Sequence, residues 1–172
     1  MRIAVKDANV FIDLESMGIL DLWFQLGHET ITSSYVVIEL EDGGHANALA
    51  SIRAGQVREE VISGEEIAGD FGDLLGELED SGLSVTDVSV LFLAMREKAV
   101  LLSGDKQLRK QARLRTIEVH GTLWMMDQLV ATGILVGAVA ADRLEALLAR
   151  TGKERRYLPA GECEARIQSW RR

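Results

Sequence analysis

The chain has 172 residues, 47% of them hydrophobic, with a formal net charge of -8; this is enough apolar content for a packed core and excludes disorder on composition grounds. A single cysteine, Cys163, excludes an internal disulfide, and the separation of His28, His45 and His120 excludes zinc sites of helical or hairpin spacing. No run approaches about eighteen consecutive apolar residues and charge is reached by Lys6, so neither a membrane span nor a signal peptide is predicted and a cytoplasmic protein is expected.

In chain order, Arg2 to Val5 is predicted as a short strand ending at Asp7. Val10 to Phe24 then carries Phe11, Leu14, Ile19, Leu22 and Trp23 near helical spacing, with a break or bend at Gly18. A second strand is expected at Thr30 to Thr32, followed by a helix from Tyr35 to about Glu41 that Ser33 or Ser34 can cap and Gly43-Gly44 ends. A helix fits His45 to Arg53, a strand fits Gln56 to Ile62, and one acidic helix fits Glu65 to Asp80 through Ile67, Phe71, Leu74, Leu75 and Leu78.

Beyond Gly82, Ser84 opens a helix with Val88, Leu91, Phe92 and Met95 on one face. Ala99 to Ser103 is a continuous apolar run suited to a parallel strand buried on both faces. Asp105 begins the next helix, to about Leu114; Thr116 to His120 is a further strand, and Leu123 to Ala131 an apolar helix. Ala140 to Ala149 suits one more helix, and Lys153 to Arg172, with the chain's one proline at Pro159, is expected to wrap as a tail. The alternation predicts an α/β fold with a doubly wound parallel sheet.

The charge is unevenly spread. Nine of the 27 acids lie between Glu59 and Asp80 with no Lys or Arg among them, so the remaining 18 nearly balance the 19 bases. Lys106, Arg109, Lys110, Arg113 and Arg115 fall within ten residues, the side from which a polyanion would approach.

Ligands of open α/β sheets bind outside the carboxyl ends of the strands, where Asp7 and Asp105 fall. Each also suits a structural role, Asp7 in a turn and Asp105 as a helix N-cap. Asp87 completes a capping box with Ser84. Glu39 shares a helical face with Tyr35 and Val36, and a carboxylate on an apolar face needs a partner or a metal.

The order of these acids is more specific than any one of them. Val5-Lys6-Asp7-Ala8-Asn9-Val10-Phe11 resembles the opening motif of PIN domains, and Ser34-Tyr35-Val36-Val37-Ile38-Glu39-Leu40 resembles the second. Ser84-Val85-Thr86-Asp87 with its apolar continuation resembles the third, and Leu101-Leu102-Ser103-Gly104-Asp105 the fourth, with Ser103 where threonine is frequent. The resemblance covers residues 1 to 130 as a PIN-like nuclease domain; residues 131 to 172 are expected as a C-terminal helical extension packed on the same domain.

The resemblance implies a metal-dependent ribonuclease like the prokaryotic VapC-type toxins, with Asp7, Glu39, Asp87 and Asp105 as both catalytic residues and metal ligands. An all-carboxylate set with no suitable His or Cys cluster favours Mg²⁺ or Mn²⁺. Asn9 and Ser103 are expected to orient waters or carboxylates, and Lys106, Arg109 and Lys110 to hold the phosphates of an RNA substrate. A small antitoxin protein is the implied partner. Self-association is implied by the family and by the apolar helix Leu123 to Leu129. Two alternatives remain open: a non-catalytic PIN-like interaction module, and a haloacid-dehalogenase-like phosphatase with Asp7 as nucleophile, against which Asn9 counts because that class places a second Asp there.

Overall fold

The computed structural model describes residues 3–150 and 158–172. Arg2 of the expected first strand and residues 153–157 of the expected tail lie outside them. Five parallel strands form one sheet: β1 (Ile3–Lys6), β2 (Glu29–Ser33), β3 (Arg58–Glu60), β4 (Val100–Leu102) and β5 (Val119–His120), in the order β3-β2-β1-β4-β5. The chain thus winds outward from β1 in one direction through β2 and β3, then returns to its other side for β4 and β5. The switch point lies between β1 and β4, where Ala4 pairs with Val100 and Lys6 with Leu102. Loops leaving two neighbouring strand ends in opposite directions open a crevice there.

Helices cover both faces. The helical segment from Val10 to Phe24 is broken at Gly18, as expected, into α1 (Ala8–Ser16) and α2 (Leu20–Phe24), with Gly18 at φ +65° between them. α3 (Ser34–Asp42), capped by Ser33 rather than Ser34, and α4 (Ala46–Arg53) follow β2. The acidic helix expected from Glu65 to Asp80 is divided into α5 (Gly64–Ala68), α6 (Asp70–Glu77) and a 3-10 turn at Glu79–Ser81. Apolar spacing continues across this break, but Gly69 leaves helical geometry at φ -121°, ψ -122°. The two pieces then pack so closely that a Cβ on Gly72 would lie 2.4 Å from the Ile67 carbonyl oxygen.

α7 (Val85–Arg96) buries a continuous run from Val88 to Ala94 and is the central helix of the core. Its last residue, Arg96, gathers Glu60, Glu66 and Glu97 at 2.5–2.9 Å, and Arg115 holds Glu77. Part of the acidic segment is thereby neutralised against the body of the protein. α8 (Lys106–Leu114) and α9 (Thr122–Ala131) flank β5. Leu123, Met125, Met126 and Leu129 of α9 are buried in the core, so the apolar character that suggested a self-association surface is taken up internally.

α10 (Gly137–Leu148) begins earlier than expected, and the expected tail contains a helix, α11 (Ala160–Trp170). α11 buries Cys163 and packs against α10; a Cβ on Gly137 would lie 2.4 Å from the Trp170 carbonyl oxygen, so only glycine allows this approach. Arg166 joins α11 to Asp127 of α9 at 2.9 Å. Among the described residues no helix is long and apolar enough to cross a membrane.

Candidate active site

Asp7 stands at the switch point. Its backbone N–H donates to the Leu102 carbonyl at 3.0 Å, which prolongs the β1–β4 pairing by one residue and turns the side chain into the crevice as the N-cap of α1. Asp7 is 3% exposed, and the donors to its carboxyl are its own neighbours and Ser103, the residue just after β4. Oδ1 accepts from the Ala8 N–H at 2.7 Å, and Oδ2 accepts from Asn9 Nδ2 at 2.6 Å and from the Ser103 hydroxyl at 2.7 Å.

Asn9 and Ser103 are themselves fixed. Asn9 Oδ1 accepts from the Gly104 N–H at 2.9 Å, so the amide is held at both ends, and Ser103 Oγ accepts from the Asp105 N–H at 3.0 Å. Arg109 Nη1 donates to the Ser103 carbonyl at 3.1 Å. The loop after β4 is thus bonded residue by residue to the loop after β1.

The other acids surround this unit at longer range. Asp87 is half-buried at the third position of α7, where Oδ2 accepts from the Ser84 N–H and hydroxyl at 2.8 and 2.7 Å, completing the predicted capping box. Asp105 caps α8 through Oδ1, which accepts from Leu108 N–H at 2.7 Å. Each therefore commits one oxygen to a helix N-terminus, and neither second oxygen forms a hydrogen bond among the described residues. Glu39 is exposed; the buried stripe of α3 runs through Val36 and Leu40, so the apolar-face expectation is corrected.

Two of these carboxylates act on Asp7 electrostatically. Burial chiefly, then the charges of Asp87 and Glu39, push the Asp7 carboxyl up to about 7, against the lowering effect of Ser103 and the Ala8 N–H. Asp105 is joined to Asp7 through Ser103 rather than by a direct charge effect. A pair of serines joins α3 to α7, the helices that carry Glu39 and Asp87: Ser33, the cap of α3, lies 2.6 Å from Ser89 on α7, and Ser89 donates to the Thr86 carbonyl at 2.7 Å. Because the one Ser89 proton goes to the Thr86 carbonyl, the Ser33 hydroxyl is the donor to Ser89 while its oxygen accepts from Val36 N–H.

Among the described residues no three His, Cys, Asp or Glu side chains are grouped as a ready-made cage. The donor set nevertheless suits a hard ion such as Mg²⁺, which keeps several waters and takes only one or two carboxylates directly. A buried acid whose ionisation is resisted by two further acids is also the electrostatic setting that a cation relieves.

The basic residues divide. Lys106 and Arg109 line a cavity beside Gly104, whereas Lys110 is exposed on α8 away from it. His120, Trp124 and Arg166 also line this cavity. They belong to no motif; His120 and Trp124 are four residues apart where β5 leads into α9, and the docking of α11 brings Arg166 to them.

A family model described as a PIN domain matches residues 3–172, through both C-terminal helices. A chain of the VapBC2 complex of Rickettsia felis, crystallised bound to a DNA fragment from their promoter, superposes with a TM-score of 0.50 at 19% identity, covering 69% of this chain and 98% of that one. That likeness is one of fold. A search of curated proteins returned no match.

Proposed function

This chain belongs to the PIN-domain family, and from that premise we propose that it is an endoribonuclease dependent on Mg²⁺ or Mn²⁺, with its working centre at Asp7. The observation that carries the reading is the buried Asp7 carboxyl at the β1–β4 switch point, held by three donors while Asp87 and Glu39 resist its ionisation. A buried carboxylate oriented so closely, yet electrostatically opposed, is organised for a cation.

Asp7 and Asp87 would be the principal ligands, with Glu39 and Asp105 completing the set. When bound, the ion supplies Lewis-acid charge that polarises a phosphodiester and offsets negative charge developing on it. Ser103 and Asn9 fix the direction in which Asp7 presents its oxygens, and their hydrogen bonds favour its ionised form. The caps at Ser84 and Asp105 restrain Asp87 and Asp105 at the mouth of the crevice. Lys106 and Arg109, with Lys110 farther out, bring positive charge to the RNA backbone beside Asp7.

Asn9 speaks against an Asp7-nucleophile phosphatase. Its amide is bound at both ends, to Asp7 and to Gly104, and it carries no acidic proton to give a leaving group.

We further propose that the enzyme is the toxin of a toxin–antitoxin pair. Crowded carboxylates without metal attract an Arg or Lys from a small partner protein, and the fold likeness to a chain of VapBC2 accords with such a partner. Inhibition by the partner should weaken as Mn²⁺ is raised.

The test is cleavage of defined structured RNAs with Mn²⁺ or Mg²⁺, with chelator controls and Asp7→Asn in parallel. Metal-dependent cleavage, reduced at least about 100-fold by Asp7→Asn, is expected. Mn²⁺ binding without cleavage of any RNA would overturn the enzymatic reading and leave an interaction module.

A further inference from the structure

A cavity of about 330 Å³ lies among α8, the start of α9 and α11, opening at Gly104 beside the bonded unit of Asp7, Asn9 and Ser103. That volume is within the range of small-ligand sites, roughly 300–1,000 Å³. An aromatic series runs from the core to its wall. Trp23, 1% exposed, lies 6.4 Å from Trp124, and His120 is stacked on Trp124 with ring centroids 4.1 Å apart and planes within 10°. Both outer rings line the cavity, and the His120 side chain is 26% exposed.

Positive charge meets this stack. Arg109 reaches the cavity while anchored on the Ser103 carbonyl, and it does so past Gly121, where a Cβ would lie 2.8 Å from Nη1. Arg166, from the opposite wall, is matched by Asp127 and Glu162. Lys106 and Arg109 form no ion pair among the described residues, although Arg109 senses Glu162, the acid in the wall.

A flat ring stack beside cations that form no ion pair among the described residues distinguishes a nucleotide from a bare anion, because the phosphate accounts for the cations and the base for the rings. Resting on the nuclease reading, we propose that this cavity is a subsite for one unpaired nucleotide of the RNA strand, adjoining the scissile phosphate. Its base continues the Trp124–His120 stack, its phosphate meets Lys106 and Arg109, and α11 closes the wall. The nucleotide must be unpaired, since only a base splayed from a helix can stack on a side chain. Stacking tolerates every base, so the subsite selects single-stranded context more than sequence.

The full-length protein is titrated with adenosine 5′-monophosphate, with ribose 5-phosphate and inorganic phosphate as controls, following the Trp124 indole and Arg109 side-chain N–H signals by NMR. The nucleotide should move both signals and bind about tenfold more tightly than ribose 5-phosphate, which moves Arg109 alone. His120→Ala should abolish that advantage and His120→Phe, which keeps a stacking ring, should preserve it. Equal affinity for the three ligands, or an unchanged advantage in a folded His120→Ala protein, would overturn the subsite.

The same variants in RNA cleavage separate the two claims. Asp7-dependent cleavage with no nucleotide preference at Trp124 refutes the subsite alone. Nucleotide binding dependent on His120, without cleavage of any RNA, refutes the nuclease reading while the cavity's ligand class stands.

Discussion

Lys6 and Asp7 are neighbours at the end of β1, both buried, and the protein surrounds them in opposite ways. Lys6 is 0% exposed, and its Nζ lies 4.6 Å from the centroid of Phe11 and 5.3 Å from those of Trp23 and Phe24, with no hydrogen-bond partner among the described residues. Burial lowers its pKa well below the ordinary lysine value. Asp7 suffers the same loss of water, but three donors converge on it and two acids stand within electrostatic reach. Ring faces give an ammonium partial compensation; directed donors give a carboxylate orientation. One strand end thus holds a basic side chain packed as core and an acid prepared for a ligand.

The sharpest way to break this contrast is Asp7→Asn, which keeps the shape and removes the charge. Cleavage should fall at least about 100-fold while the protein stays folded. Wild-type turnover in this variant would move the chemistry elsewhere.

A second effect concerns stability without metal. Asp7 has a folded pKa raised from 3.8 to about 7, so the unfolded state ionises first as pH rises. The stability of the metal-free protein attributable to Asp7 should therefore decrease between about pH 4 and about pH 7, by as much as roughly 4 kcal/mol, and level off above. Denaturant melts across that window should show the slope in the wild type and its loss in Asp7→Asn. Mn²⁺ should raise the melting temperature more above that window than below it.

Lys6→Met tests the other half. Removing a buried ammonium while retaining an unbranched apolar chain should stabilise the fold at neutral pH by about 2 kcal/mol. Because the folded pKa of Lys6 is depressed, its penalty grows as pH falls below the unfolded lysine value, so the gain should shrink towards about pH 10. A loss of stability in urea melts would show that contacts between the ammonium and the rings outweigh its desolvation.

The smallest effect is expected at Ser103. Ser103→Ala removes one donor to Asp7 and should weaken Mn²⁺ affinity about tenfold, whereas Ser103→Thr should retain it. Equal affinity in all three proteins would make this hydroxyl a structural bond only.

The centre of the sheet was legible because β1 and β4 carry the apolar runs Ile3-Ala4-Val5 and Val100-Leu101-Leu102 and because several helices begin at side-chain caps. Ser33, Ser84 with Asp87, and Asp105 cap α3, α7 and α8. The division of the acidic helix was not, since Ile67 and Phe71 keep helical spacing across Gly69 and the break depends on the close packing of Gly72. Glu39 shows a related limit: its position on α3 is periodic, but where burial stops is set by the helix's neighbours. The Asp7–Asn9–Ser103 unit joins residues 96 positions apart, and only the parallel pairing of β1 with β4 brings them into contact. His120 and Arg166 carried no local pattern, because their cavity exists only once α11 docks on α9 and α10.

The central claim, that Asp7 is held ready for a divalent cation, is tested most directly by calorimetric titration of Mn²⁺ at about pH 7 in two buffers of different ionisation enthalpy. With a carboxyl that titrates at about 7, binding should release about half a proton, and Asp7→Asn should lose both the release and most of the affinity. Mn²⁺ affinity and proton release unchanged in Asp7→Asn would contradict the account.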